Sequence, residues 1–162
     1  MKLIAIDREN AAQTAPLVAA FRVELRSYKG ISSQPDCDEG LTEMLGYLDA
    51  GFPAFAAVED GAFLGYIVCR ENSGCVWVES LYVREDSRRR GIASALFDRA
   101  EEIGASYGGD TLFNYVHPNN QKIIAFLRKR GYTVLNLIEL RKPWNGEKLT
   151  TKIQVGENQF DY

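Results

Sequence analysis

The fold is decided by one stretch, WVESLYVREDSRRRGIA, which occupies residues 77–93. Residues 77–83 are mostly apolar and predict a strand. Residues 84–90 form a polar, basic turn, after which Gly91 opens a helix. The apolar residues of that helix recur at the spacing of one helical face: Ala93, Leu96, Phe97, Ala100 and Ile103. The stretch therefore predicts a strand, a basic turn and an amphipathic helix in direct succession.

This succession is typical of an anion-binding site. The first amides of a helix have no partner within the helix, and the helix dipole favours negative charge there. Gly91 has no side chain, so a phosphate can approach the backbone closely. The stretch lacks the Gly-Lys-Ser/Thr ending of a P-loop and the three glycines of a Rossmann fingerprint, which argues against an ATP- or NAD-binding domain. A helix cap beside a solvated run of charges would explain the same residues without a ligand.

Composition restricts the class of protein. A chain of 162 residues with 46% hydrophobic and 25% charged residues predicts a single domain, residues 1–162, with a sizeable core. A net charge of −3 disfavours nucleic acid as a partner, and no apolar run reaches membrane-spanning length. Three cysteines at irregular spacing predict reduced thiols and no metal site. Cys69 and Cys75 could still face each other across a turn. Reduced thiols, together with the lack of a signal peptide, favour a cytoplasmic protein.

The rest of the chain predicts an α/β domain. Two tight turns, Glu59–Gly61 and Glu71–Gly74, connect three apolar strands into an antiparallel meander. A helix then separates the fourth and fifth strands, which implies a parallel crossover. We expect about four helices around a mixed sheet of six to seven strands. The predicted strands are 3–6, 52–58, 63–70, 75–83, 111–116, 132–140 and 152–155.

Two motifs resemble the GNAT superfamily of acetyl-CoA-dependent N-acetyltransferases. Arg88-x-x-Gly91-x-Ala93 after a strand is similar to the family's Arg/Gln-x-x-Gly-x-Gly/Ala motif. Downstream, Asn120, Phe126 and Gly131-Tyr132 resemble the later family block. The likeness covers a core of about 52–140, with a C-terminal strand extension at about 143–162. It implies the acyl-CoA N-acyltransferase fold, acetyl-CoA as co-substrate and no metal.

The resemblance also implies where acetyl-CoA lies. Strands four and five would part at a bulge, and the pantetheine arm would pair with the backbone beside Leu81 and Val83. Amides from Arg89 to Ser94 would hold the pyrophosphate, supplemented by arginine side chains. Asn120 would bind the pantetheine or orient its helix, and a plain helix N-cap explains this residue equally well. The implied cofactor-binding residues are Leu81, Tyr82, Val83, Arg88, Arg89, Arg90, Gly91, Ile92, Ala93, Ser94, Asn120 and Phe126.

Acetyl transfer needs a deprotonated amine, donors for an oxyanion and a route for the thiolate to leave. Glu79 lies in an otherwise apolar strand, where many family members carry a catalytic glutamate, and we interpret it as the base. A solvated, edge-facing glutamate is the alternative. The backbone amide of Leu81 would be the oxyanion donor. Leu127 occupies the position where the family usually has a tyrosine that acts as general acid. Leucine cannot donate a proton, so Tyr82, Tyr115 or water could take this role instead.

The resulting hypothesis is transfer of an acetyl group from acetyl-CoA to a primary amine by direct attack in a ternary complex. Leu127 favours the alternative, a non-catalytic acyl-CoA-binding or regulatory module. The sequence does not identify the acceptor, which could be a small molecule or a peptide. The C-terminal extension at about 143–162 could swap a strand into a second copy or complete its own sheet. The sequence therefore leaves a homodimer as one possibility.

Overall fold

A five-stranded mixed sheet organises residues 1–126 in a computed structural model that describes residues 1–162. Its strands lie side by side in chain order: β1 (Lys2–Ala5), β2 (Ala54–Glu59), β3 (Ala62–Asn72), β4 (Cys75–Val83) and β5 (Phe113–Asn114). Neighbours from β1 to β4 are antiparallel, whereas β5 runs parallel to β4. The predicted meander and the parallel β4/β5 pair are confirmed.

Four helices accompany the sheet, as predicted. They are α1 (Ala11–Ser27), α2 (Cys37–Asp49), α3 (Ile92–Ser106) and α4 (Gln121–Lys129). Helix α2 begins at Asp36, whose carboxylate accepts hydrogen bonds from the amides of Asp38 and Glu39 at 3.0 Å. None of the helices is both long and apolar enough to cross a membrane.

The two faces of the sheet have different cores. Helices α1 and α2 cover one face with a cluster of buried side chains: Ile6, Ala11, Leu17, Val18, Met44, Ala54, Ala56, Val58, Tyr66 and Val68. A Cβ on Gly40 would lie 2.5 Å from the carbonyl oxygen of Ala15, so the close crossing of α1 and α2 requires glycine. Helix α3 packs against β3 and β4 and buries Leu96, Phe97 and Ala100.

The predicted sheet of six to seven strands is wrong, because the sheet has five. Residues 132–140 form no strand, although their apolar side chains favour one. A strand exists only where its backbone finds a ladder partner, and propensity alone does not supply one. Residues 127–162 form a second compact unit, in which β6 (Lys152–Val155) pairs with β7 (Asn158–Asp161) as a separate hairpin. Five large apolar residues within 132–140 are exposed: Val134, Leu135, Leu137, Ile138 and Leu140.

The cysteines are free thiols. Cys69 pairs in register with Val78, and Cys75 pairs with Asn72, so the two cysteines do not face each other across the turn. Burial raises the pKa of the Cys69 thiol to about 12. Since the thiolate is the reactive form, Cys69 is inert at neutral pH.

Candidate active site

An open strand edge forms the first part of the site. Strand β5 pairs with β4 only at Trp77 and Val78, and β4 continues alone on that side to Val83. The amide of Arg84 donates to the carbonyl of Leu64 at 2.8 Å, so Arg84 faces β3. Because successive residues of a strand direct their backbone groups to opposite sides, Val83 and Leu81 face the gap.

A β-bulge lies where β4 leaves β5. Val68 pairs with Ser80 and Cys69 pairs with Val78, which leaves Glu79 as the extra residue. A bulge bends its strand and increases the local twist. The bulge at Glu79 therefore accounts for the separation of β4 from β5 immediately beyond Val78.

Glu79 occupies the bulge in a half-buried position. Its Oε2 lies 3.1 Å from Nε of Arg70, and the two side chains are about equally exposed, at 30% and 31%. The Arg70 guanidinium lies 5.2 Å from the ring centroid of Trp77, which stacks on Phe113 at 5.0 Å. Tyr47 of α2 lies near enough for the Glu79 charge to affect it. The pKa of Tyr47 is raised mainly by burial and by its hydrogen bond to Glu43, and the Glu79 charge raises it further. Val68, two residues before Arg70 on β3, belongs to the core that α1 and α2 cover. Alternate residues of a strand share a face, so Arg70 and the Glu79 carboxylate beside it face that side of the sheet.

The basic turn presents backbone amides to solvent. Arg89 and Gly91 both have a positive φ, of 66° and 80°, and a non-glycine residue in this conformation is uncommon and often lies at a functional site. The first helical hydrogen bond runs from the amide of Ala95 to the carbonyl of Gly91 at 3.0 Å. The amides just before Ala95 therefore have no acceptor inside α3. Successive amides in a turn of this kind can form a concavity suited to an anion.

The three arginines of the turn differ in their surroundings. Arg88 donates through Nη2 to Glu24 at 2.6 Å and through Nε to the carbonyl of Val83 at 2.9 Å. Arg90 donates to Glu59 at 2.5 Å. Arg89 is exposed and has no ion pair within the chain. Two of the three arginines that we expect to supplement the amides are therefore also bound to carboxylates.

Glu24, near the C-terminal end of α1, connects that helix to the basic turn. Its carboxylate accepts hydrogen bonds from Tyr28 at 2.7 Å and from Arg88 at 2.6 Å. Burial acts to raise the pKa of Glu24, but the two hydrogen bonds and the positive charges of Arg88 and Lys122 together outweigh it and hold the pKa below its usual value. The carbonyl of Tyr28 accepts from Asn119 at 3.0 Å, and its ring stacks on His117. The end of α1 therefore fixes both the basic turn and the loop before α4.

We predict that Glu24→Gln lowers the free energy of unfolding at pH 7 by about 1.5–3 kcal/mol, the range for a hydrogen bond to a charged group. Because the folded-state pKa of Glu24 is depressed, its contribution is complete above the unfolded pKa and is lost as pH falls through the folded pKa. The difference between wild type and variant should therefore shrink between pH 7 and pH 3. Denaturant unfolding at both pH values measures it.

Glu102→Gln is the matched control. Glu102 also pairs with an arginine, Arg99, but it is 65% exposed, and exposed pairs contribute little. A Glu24→Gln variant that loses equal stability at both pH values would contradict the assigned role of the carboxylate charge.

Residues around α4 are placed as follows. The Asn120 side chain accepts from the amide of Ile123 at 3.2 Å, as a helix cap does. Phe126 packs edge-on against Phe97 of α3 at 5.5 Å. Leu127 is buried. Tyr115 is exposed and directly follows Asn114, the β5 residue that pairs with Val78.

Sequence reasoning missed Glu24 and Arg70. Glu24 is 64 residues from Arg88, and no local pattern connects them. Arg70 had a usable signal, because counting back across the hairpin from Asn72 and Cys75 pairs Arg70 with Trp77. Glu79 then lies two residues further along the same strand.

These features can be compared with known proteins. The model of the acetyltransferase (GNAT) family matches residues 18–132. The chain belongs to this family. It is accordingly an acyltransferase with the family's mixed-sheet fold.

Solved structures share the fold at low sequence identity. Aminoglycoside acetyltransferase AAC(6')-Iy in complex with a bisubstrate analogue is 20% identical, with a TM-score of 0.65, over 88% of this chain and 98% of that one. Ribosomal-protein-alanine N-acetyltransferase from Brucella melitensis biovar Abortus 2308 is 17% identical, with a TM-score of 0.66, over 89% and 100%. The PaiA N-acetyltransferase from Thermoplasma acidophilum, in complex with coenzyme A, is 19% identical, with a TM-score of 0.64, over 80% and 89%. A sequence search of curated proteins gave no match.

Proposed function

We propose that this protein transfers the acetyl group of acetyl-CoA to a primary amine by direct attack in a ternary complex. The observation that carries the proposal is the open edge of β4, which runs from the half-buried carboxylate of Glu79 to the exposed amides of the basic turn. One continuous stretch of backbone thus offers a base at one end and an anion site at the other. The similar structures named for aminoglycosides and for a ribosomal protein alanine support an amine as acceptor.

The residues along this edge fit acetyl-CoA. The pyrophosphate would be held by the amides of the turn, assisted by the unpaired charge of Arg89. The pantetheine arm would pair with the open edge of β4 at Leu81 and Val83, as an added strand does. At Val83 only the amide is available, because Arg88 already occupies the carbonyl. Arg88 therefore positions the turn, and we assign it no direct phosphate contact.

Glu79 would remove the proton from the ammonium of the acceptor, because only the free amine attacks the thioester. The Leu81 amide would donate to the oxyanion that forms. Direct attack is favoured because the hydroxyl of Ser80, beside Glu79, is buried and hydrogen-bonded to Tyr66 at 2.7 Å. Cys69 is also buried. Neither side chain is available to form an acyl-enzyme.

The departing thiolate needs little acid assistance, because it is a tolerable leaving group. Between the two tyrosines considered, Tyr115 directly follows the residue that pairs with Val78, next to Glu79 in the chain. The ring of Tyr82 instead lies under the Arg88 guanidinium, whose central carbon is 5.3 Å from the ring centroid. Burial also raises the pKa of Tyr82. We therefore propose Tyr115 or water as the proton donor, and Tyr82 as a support for Arg88.

Calorimetry with acetyl-CoA, using ATP and NAD as controls, tests the cofactor. Selective binding of acetyl-CoA supports the proposal, and no binding to the folded protein overturns it. CoA release in the presence of a panel of amines then tests transfer. Binding without release with any amine would favour the non-catalytic acyl-CoA-binding module, for which the buried Leu127 in the family's tyrosine position is the specific observation.

A further inference from the structure

Arg70 is an unusual neighbour for a base that must receive an ammonium. Its Nε lies 3.1 Å from Oε2 of Glu79, yet these two buried atoms form no properly aligned hydrogen bond. The contact is therefore a pairing of charges. It leaves the local net charge near zero, so an ammonium alone gains little attraction from Glu79.

The terminal nitrogens of Arg70 point to a second role. The side chain is 31% exposed, and its contacts within the chain are Glu79 and the face of Trp77. Neither contact uses the fork of terminal N–H groups, which matches a carboxylate bidentately. The attraction between the guanidinium and the face of Trp77 restricts the Arg70 side chain, so the fork is partly fixed before a ligand arrives.

We propose that Arg70 determines acceptor specificity and that the site takes an amine carrying a carboxylate on the same or the adjacent carbon. This inference rests on the proposed function. A carboxylate bound by the Arg70 fork would compensate its charge and leave Glu79 free to accept the proton of the ammonium. Since Arg70 and Glu79 are in contact, the acidic and basic groups of the acceptor must also be close together. Amino acids satisfy this requirement, whereas polyamines bring a second cation towards Arg70 and are disfavoured.

Matched acceptors test the inference in the full-length protein at saturating acetyl-CoA. Alanine and phenylalanine are compared with alaninamide and phenylalaninamide at equal concentrations of free amine, with spermidine as the polycation, and CoA release gives kcat/KM. We expect each amino acid to exceed its amide by about 10- to 100-fold, the range for hydrogen bonds to charged groups. Equal or higher values for the amides or for spermidine would overturn the inference and leave the proposed function intact.

Arg70→Gln should remove this preference, lowering kcat/KM about 10- to 100-fold for the amino acids. For the amides kcat/KM should not fall and should rise if anything, because Glu79 is then no longer paired with a cation. Affinity for acetyl-CoA should stay unchanged. Arg99→Gln is the matched control, because Arg99 also pairs with a glutamate and lies over a ring, Phe55, but belongs to α3. An equal loss for amino acids and amides in Arg70→Gln would reduce Arg70 to a structural partner of Glu79.

Failure of the proposed function would give a different result from failure of the inference about Arg70. No CoA would then be released with any of the acceptors. In that case, calorimetric titration of the CoA-saturated protein with phenylalanine and with its amide still tests Arg70. Binding of phenylalanine that is stronger than that of the amide and is lost in Arg70→Gln would support the carboxylate site. Equal binding of the two compounds, or binding of neither, would overturn it.

Discussion

Replacing Gly91 by glutamate should weaken acetyl-CoA binding by about 100- to 1000-fold. A carboxylate beside the pyrophosphate places two like charges about 4 Å apart, which costs on the order of 4 kcal/mol near a protein surface, and about 1.4 kcal/mol corresponds to a tenfold change in affinity. No atom lies within 4 Å of the position that a Cβ on Gly91 would occupy. The new side chain therefore meets solvent in the free protein and obstructs only the ligand.

Two controls separate charge from backbone strain. Gly91→Ala keeps the strain of a positive φ, about 1–2 kcal/mol, without the charge, and should retain most of the affinity. Gly74→Glu repeats the substitution in the β3–β4 turn, where φ is also 80° and the space is also open, and should bind acetyl-CoA as wild type does. A Gly91→Glu protein that is folded and binds normally would show that the pyrophosphate lies elsewhere.

The elements that the sequence predicted well depend on local signals. The turns at Asp60-Gly61 and Ser73-Gly74 have the positive φ that tight hairpins need, and glycine in such a turn can be identified from neighbouring residues alone. The helix after Gly91 followed equally directly from its periodic apolar face. These features determine the meander, the crossover and hence the position of the basic turn.

The elements that the sequence failed to predict depend on distant partners. Residues 132–140 have the composition of a strand, but whether they pair is decided by what lies beside them. Strand β5 is only two residues long, although the apolar run 111–116 predicted more. The bulge at Glu79 is also a property of two strands, since neither sequence alone reveals which residue will be left unpaired.

The candidate site shows the same division. The basic turn was predictable because its amides belong to one continuous segment. The pairings of Arg88 with Glu24 and of Arg70 with Glu79 were not predicted, although they determine which arginine of the turn lacks a carboxylate partner and what charge surrounds Glu79. Charge pairs are therefore the part of this site that only the fold reveals.

Glu79→Gln should lower kcat by about 10²- to 10⁴-fold, the usual contribution of a positioned base, with little change in acetyl-CoA affinity. Glutamine keeps the size of the side chain but cannot accept the proton from the ammonium. The remaining activity should rise with pH up to the pKa of the acceptor amine, because solvent then supplies the free amine. Steady-state kinetics from pH 6 to pH 10 measure both effects, and a pH profile equal to that of wild type would exclude Glu79 as the base.

The substitution also leaves Arg70 without its carboxylate, and an unpaired, partly buried charge can itself destabilise the protein. The double variant Arg70→Gln/Glu79→Gln removes that charge and therefore separates the two effects. If Glu79 is the base, the double variant should regain thermal stability while its turnover stays as low as that of Glu79→Gln. Recovery of turnover together with stability would instead mean that Glu79 only neutralises Arg70, and that deprotonation of the amine is the work of another group or of water.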